Sequence, residues 1–142
     1  IKKKYIHLAE KKVKKKFKIF IDRSDSIYSH CKFINNEEIK KFLISRGFKI
    51  VRLSNLSLKR QISIFNNSEI IIGPHGAGFA NLIFCKKKTK VIEIKPNDHP
   101  NIVYERISKI NMLNYKLLKI KKVNNNSLGD MMLKVNLLKK YI

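Results

Sequence analysis

The 142 residues of this chain predict an α/β fold, in which helices cover both faces of a parallel sheet. Apolar runs of strand length alternate with amphipathic segments of helical length, and the connections between them are short. A glycine-rich turn follows the third apolar run, as is typical of sheets that bind phosphate. The expected Rossmann-like strand order is 2-1-3-4-5, which makes the first and third strands neighbours.

The chain is expected to form one domain, residues 18–142, preceded by a lysine-dense lead-in helix or linker, residues 1–17. The first strand is predicted at residues 18–22, where isoleucine and phenylalanine form a compact apolar run. Arg23 opens the polar loop that follows, so this residue lies just beyond the end of the strand.

The next helix and strand carry clear boundary signals. Asparagines at 35–36 cap a helix, and the glutamates at 37–38 lie in its first turn, where the helix dipole favours negative charge. Gly47 ends this helix. The apolar run at 48–53 is the second predicted strand.

The third and fourth strands flank the glycine-rich turn. Ser57 caps the helix that precedes them. The third strand is predicted at 69–73, the helix after its turn at 76–84, and the fourth strand at 90–94. The remaining predicted elements are a helix at 102–110, a strand through 117–120, a loop at 124–126 and a terminal helix at 136–141.

The turn after the third strand has the composition of a phosphate site. It consists of Gly73, Pro74, His75, Gly76, Ala77 and Gly78. A strand that turns on glycines into a helix points several backbone N–H groups at one spot, at the positive end of the helix dipole. The His75 imidazole is predicted to face the ligand and donate a further hydrogen bond to an anion.

A second segment is expected to meet this turn. Ligands of such sheets bind beyond the carboxyl ends of the strands. Because the first and third strands are predicted neighbours, Arg23 is expected to lie beside residues 73–78. Two segments far apart in sequence then form one anion site, which predicts a phosphate-bearing ligand.

The net charge of +22 raises the alternative of a basic nucleic-acid-binding domain. Only five of the 32 basic residues are arginine, whereas nucleic-acid readers rely on arginine and on aromatic stacking platforms. Lysine is instead accompanied by abundant isoleucine and asparagine, the pattern of AT-rich codons, so we favour no nucleic-acid partner. The positive field still attracts an anionic ligand such as a nucleotide-sugar.

The apolar runs, cysteines and remaining histidines bear on the cellular compartment and on metal binding. No apolar run reaches the length of a transmembrane helix, and Cys31 and Cys85 form no spaced pattern, which favours a reducing, cytoplasmic location. His7, His30 and His99 stand apart without metal-ligand spacing. We therefore expect neither a metal nor a cofactor.

Six segments, in order along the chain, carry a family resemblance: 19–23, 34–38, 47–48, Gln61, 72–84 and 91–94. Together they resemble the C-terminal part of glycosyltransferase family 61. That family includes protein O-linked N-acetylglucosaminyltransferases, plant xylosyltransferases and bacterial capsular-polysaccharide enzymes. The resemblance covers residues 18–118, and the Gly-Pro-His-Gly-Ala-Gly core is its specific motif.

The resemblance implies a two-domain GT-B architecture in which this chain is the nucleotide-sugar half and an N-terminal domain is missing. It implies inverting transfer from a nucleotide-sugar, usually UDP-linked, to a glycan or polysaccharide acceptor, commonly without an essential metal. Two positions depart from the family pattern, because Lys32 replaces an arginine and Ala80 a threonine. Lysine keeps the charge but lacks the bidentate guanidinium.

These observations predict His75 as the catalytic residue, which stabilises the leaving diphosphate. The predicted donor-binding residues are Arg23, Lys32, Gly73, Pro74, His75, Gly76, Ala77, Gly78, Asn81 and Glu93. Asn81 either meets the ligand or braces the turn. Glu93, inside an apolar strand, either binds a ribose or pairs with a lysine or arginine.

Other roles are left open by the sequence. Gln61 is interpreted as structural. Asp22, Asp25 or a group on the missing domain are alternative catalytic bases. A noncatalytic nucleotide-binding remnant is the alternative to a glycosyltransferase.

Overall fold

The computed structural model describes residues 1–9, 16–26, 30–123 and 128–142. Its five strands are β1 (Phe17–Ile21), β2 (Lys49–Val51), β3 (Ser68–Pro74), β4 (Lys90–Pro96) and β5 (Asn114–Ile120). All neighbouring strands are parallel, in the order β2-β1-β3-β4-β5. The predicted α/β class and strand order are confirmed.

The described residues contain five α-helices and three 3-10 helices. The α-helices are α1 (Lys2–Tyr5), α2 (Asn36–Ser45), α3 (Leu58–Asn66), α4 (Val103–Ile110) and α5 (Val135–Leu138), and the 3-10 helices are Ile6–Leu8, Leu53–Asn55 and Ala77–Phe84. The predicted cap of α3 is confirmed, because the Ser57 hydroxyl accepts the Arg60 N–H at 3.3 Å. No helix among the described residues is long and apolar enough to cross a membrane.

The sheet separates two hydrophobic cores, because successive side chains of a strand point to opposite faces. On one face, Ile19 and Ile71 pack with α3, α4 and the 3-10 helix Ala77–Phe84. On the other face, Phe20 and Ile72 pack with α2 and α5. Helices therefore cover both faces, as predicted.

The helix predicted at 76–84 is wrong in type, because the segment is a 3-10 helix. Phe79 and Leu82 of this helix and Cys85, which directly follows it, are fully buried and recur every three residues. A 3-10 helix has three residues per turn, so these side chains lie in one row, whereas an α-helix rotates them out of line. Core packing therefore selects the tighter helix.

Other boundaries also differ from the prediction. β2 ends at Val51 rather than residue 53, because its partner β1 ends at Ile21, directly opposite. The terminal helix is the single turn Val135–Leu138. The predicted loop at 124–126, and residues 10–15 of the lead-in, lie outside the described residues.

Candidate functional site

Arg23 and the glycine turn meet at the carboxyl edge of the sheet. The Arg23 guanidinium donates from Nη1 to the main-chain carbonyl of His75. It also lies flat against Gly76, where an added Cβ would overlap it. The expected proximity of the two segments is thus confirmed, and Gly76 is required for the close approach.

Within the described part of the chain, the Arg23 guanidinium has polar partners but no anionic one. Nη2 donates to Ser26 Oγ at 3.1 Å, and Nη1 lies 3.3 Å from Nδ1 of His30. Across the residues that the structure describes, no carboxylate forms an ion pair with it. Burial lowers the pKa of Arg23, although this strongly basic group stays charged. The charge is therefore available to an incoming anion.

The backbone N–H groups of the turn divide into two sets. The N–H of His75 donates to the Ile94 carbonyl at 2.8 Å, so it is not available to a ligand. The N–H groups that can bind an anion are therefore fewer than the whole turn would offer. The N–H groups of Gly76, Ala77 and Gly78 donate to no protein acceptor within the described ranges. Consecutive N–H groups without an acceptor at the start of a helix are donors to which an anion can bind.

The glycines of the turn also permit tight packing. A Cβ on Gly73 would lie 3.0 Å from the Cβ of Ile21, and one on Gly78 would lie 2.7 Å from Leu53 Cδ1. Gly73 therefore brings the turn close to the end of β1. Pro74, which has no N–H to donate, is the last residue of β3.

Two cavities open on either side of Arg23. The larger, about 280 Å³, is lined by the turn residues Ala77 and Gly78 together with Ser54 and Asp25. The smaller, about 160 Å³, is lined by Lys32, Pro74 and Asn36. Arg23 lines both cavities, so a ligand in either of them could contact this residue. The half-exposed Lys32 lies at the smaller one, apart from the free N–H groups.

The His75 ring is buried and lines neither of these two cavities. It is 4 % exposed and lies against His99, with ring centroids 4.1 Å apart, and against Tyr104 at 5.1 Å. Its Nδ1 hydrogen-bonds one carboxylate oxygen of Glu93, and the hydroxyl of Tyr115 donates to the other. The ring is thus packed under two aromatic side chains in the structure, and its predicted contact with a ligand stays a prediction.

Glu93 is a buried hydrogen-bond partner of His75 and Tyr115, and its predicted contact with a ribose stays a prediction. It is 1 % exposed, and His75 and Tyr115 occupy both of its oxygens. The predicted lysine or arginine partner is absent among the described residues. Burial, followed by the hydrogen bond to Glu93, raises the pKa of Tyr115, so its hydroxyl keeps the proton that it donates.

Asn81 and Gln61 brace the turn from below. Nδ2 of Asn81 donates to Oε1 of Gln61 at 3.0 Å and to the Gly78 carbonyl at 3.3 Å. Gln61 in turn donates to the carbonyls of Leu53 and Leu56. Of the two alternatives for Asn81, the structure shows the brace, and Gln61 is structural as interpreted.

Asp22 is enclosed by donors and is a poor candidate base. Its carboxylate accepts from Lys40, Arg52, Asn36 and Ser24 at 3.0–3.1 Å. Burial raises the pKa of Asp22, but these hydrogen bonds outweigh it and hold the pKa well below its usual range. Asp25, which accepts from the hydroxyl of Ser54, lines the larger cavity.

Sequence reasoning missed the pairing of His75 with Glu93. Parallel register contains the signal, because Gly73 lies opposite Glu93 and His75 follows Gly73 by two residues, on the same face. It also missed that His30 and His99 meet this site, since loop positions carry no periodic signal. No group of three or more His, Cys, Asp or Glu side chains suited to a metal occurs in the described part of the chain.

Comparison with known proteins adds one match. A family model described as Glycosyltransferase 61 matches residues 2–92, which includes β1, β2, β3 and the complete turn. No curated protein matches the chain. The matched region ends just before Glu93, so the partners of the His75 ring, Glu93 and Tyr115, lie outside it.

Proposed function

Because this chain belongs to glycosyltransferase family 61, we propose that it binds the diphosphate of a nucleotide-sugar at the turn and transfers the sugar. The observation that carries the proposal is the meeting of Arg23, which has no carboxylate partner among the described residues, with the free N–H groups of Gly76, Ala77 and Gly78. Backbone donors and a guanidinium are the groups that bind phosphate oxygens in proteins.

The same groups suit the chemistry of transfer. When the acceptor oxygen bonds to the anomeric carbon, the bond to the diphosphate breaks and negative charge develops on the leaving oxygen. Fixed N–H donors and Arg23 stabilise that charge in place, without reorganising. Attack from the opposite side inverts the anomeric centre, and the acceptor proton passes to a base.

His75 serves this site through both its backbone and its ring. Its carbonyl holds Arg23, and its ring is anchored on buried Glu93. We propose that His75 positions the leaving-group donors. The imidazole contacts the phosphate directly only if His99 and Tyr104 move away from it.

The finer features of the reaction follow the family resemblance. We propose a UDP-linked donor, a glycan or polysaccharide acceptor of the capsular type, and metal-independent transfer in which Arg23 and the N–H groups meet the diphosphate charge. We propose that a second, N-terminal domain of a GT-B architecture carries the acceptor site and the base, because Asp22 is already held as a carboxylate by four partners. Two buried free thiols, Cys31 and Cys85, support a reducing compartment such as the cytoplasm.

Calorimetry with UDP, GDP and ADP tests the donor site. We expect binding in the micromolar to millimolar range, roughly −4 to −8 kcal/mol. Absence of heat with all three at millimolar ligand contradicts the proposal, and preference for GDP corrects the donor. Titration with salt separates the nucleic-acid alternative, because affinity built from many phosphate contacts falls steeply as salt rises.

A further inference from the structure

Three histidines that are far apart in sequence lie near one another, because His30 and His75 both contact Arg23 and His99 contacts the ring of His75. Nδ1 of His30 lies 3.3 Å from Arg23 Nη1, and the His99 ring lies 4.1 Å from the ring of His75. They come from three loops, after β1, β3 and β4 respectively. Of the three, only His75 belongs to the Gly-Pro-His-Gly-Ala-Gly motif, although His30 also lies within the residues that the family model matches.

The charges around His30 and His99 are predominantly positive. Arg23 faces His30 and Lys95 faces His99, and the three imidazole rings also face one another. The nearby carboxylate of Glu93 already accepts from His75 and Tyr115. The neighbouring Asp98 pairs with Lys122 at 2.7 Å.

Hydrogen bonds indicate how the two rings are protonated. A guanidinium has no acceptor, so the Nδ1 of His30 that faces Arg23 presents its lone pair. Nδ1 of His99 likewise accepts the Asn101 N–H at 3.3 Å. Each ring is therefore a neutral imidazole whose proton resides on Nε2.

We propose that His30 and His99 are donor-binding residues that take up protons when the diphosphate of the nucleotide-sugar binds beside Arg23. This inference rests on the proposed function. A diphosphate that engages the Arg23 donors releases Nδ1 of His30 and brings negative charge to both rings. Each histidine then gains a phosphate partner as an imidazolium.

The direction of the pKa values agrees with this geometry. Burial, then the charges of Arg23 and His75, lowers the pKa of His30. Burial, then His75 and Lys95, lowers the pKa of His99. A bound diphosphate raises both, so protons are taken up at a pH between the free and the bound pKa. Donor affinity therefore falls as pH rises through that window, by at most about tenfold per pH unit for each proton.

Calorimetry with UDP-N-acetylglucosamine tests the proposal on the full chain. This diester has no phosphate proton that titrates near neutral pH, so protons exchanged on binding belong to the protein. Titrations at pH 7 in buffers of different ionisation enthalpy give the number of protons from the slope of heat against buffer enthalpy. We expect uptake of about 0.3–1 proton for each donor bound.

Matched variants assign the protons. His30→Asn and His99→Asn should each reduce the uptake, whereas His7→Asn, at an exposed position on the lead-in, should leave it unchanged. Histidine ring signals in the unsubstituted protein give a second measurement, since donor binding should raise the pKa of two of the four histidines.

The outcomes separate the two proposals. Binding with heats that do not depend on the buffer overturns the histidine assignment and leaves the donor site standing. Full uptake in both variants also overturns it, because the protons then reside elsewhere. No binding at any pH between 5.5 and 8 overturns the donor site and the assignment together.

Discussion

Asp22 and Arg23 are adjacent charged residues at the end of β1, and they differ in whether a partner of opposite charge lies beside them. Asp22 has a fully buried carboxylate and four donor residues, including Lys40 and Arg52. Arg23 has carbonyl, hydroxyl and imidazole partners and, among the described residues, no carboxylate. The first arrangement neutralises its charge within the protein, and the second leaves charge for a ligand. The comparison shows that charge balance distinguishes a structural cluster from a binding site more clearly than position does.

The largest expected effect on stability comes from removing Asp22 from its cluster with Lys40 and Arg52. Asp22→Ala leaves Lys40 and Arg52 without their shared carboxylate, so we expect the free energy of unfolding to fall by about 3 kcal/mol. Urea denaturation measures the change. Asp25→Ala, at an exposed position three residues away, should change stability by less than about 0.5 kcal/mol. Equal losses in the two variants would show that the Asp22 cluster has no special role.

Substitution of Arg23 should have the reverse effect, because it should weaken ligand binding more than it lowers stability. Arg23→Ala is expected to weaken UDP binding by about 1.5–3 kcal/mol, roughly 10- to 150-fold, since a charge-assisted hydrogen bond is lost. Stability should change by less than about 1 kcal/mol. Gly76→Ala provides a second route to the same loss, because its methyl group displaces the guanidinium while retaining the charge. Unchanged affinity in both variants would exclude Arg23 from the site.

Acid should weaken the Asp22 cluster selectively. The folded-state pKa of Asp22 is depressed, so its contribution is present above the ordinary carboxyl pKa of about 3.9 and is lost as pH falls toward the folded value. Between pH 4 and 2 we expect the parent protein to lose up to about 2 kcal/mol more than Asp22→Asn, which has no such titration. Urea midpoints at several pH values measure the difference, and parallel curves would contradict it.

The smallest effect is expected beneath the turn. Asn81→Ala removes the hydrogen bonds to Gln61 and to the Gly78 carbonyl, at a cost of about 1 kcal/mol in stability. UDP affinity should fall by less than about fivefold, because Asn81 braces the turn and lies behind the donors. A larger fall in affinity than in Arg23→Ala would restore Asn81 as a direct ligand contact.

The sequence allowed the strand order and the meeting of Arg23 with the turn to be predicted. Both follow from apolar periodicity and from parallel topology, which set where each strand ends. The pairing of His75 with Glu93 was not predicted, because it depends on the register between β3 and β4. Apolar character does not reveal a one-residue shift of a strand that is buried on both faces. The 3-10 geometry of Ala77–Phe84 likewise arises from packing, which outweighed local helix signals.

The hydrogen bond from the His75 N–H to the Ile94 carbonyl has a kinetic consequence. It continues the hydrogen-bond ladder between β3 and β4 beyond the last residue of β3. The position of the turn is therefore fixed relative to the sheet. A ligand then meets donors that are already in their bound arrangement, and little ordering entropy is lost when it arrives. Association should therefore be governed by diffusion and by electrostatic steering in the field of a strongly cationic protein, and the association rate should fall as ionic strength rises.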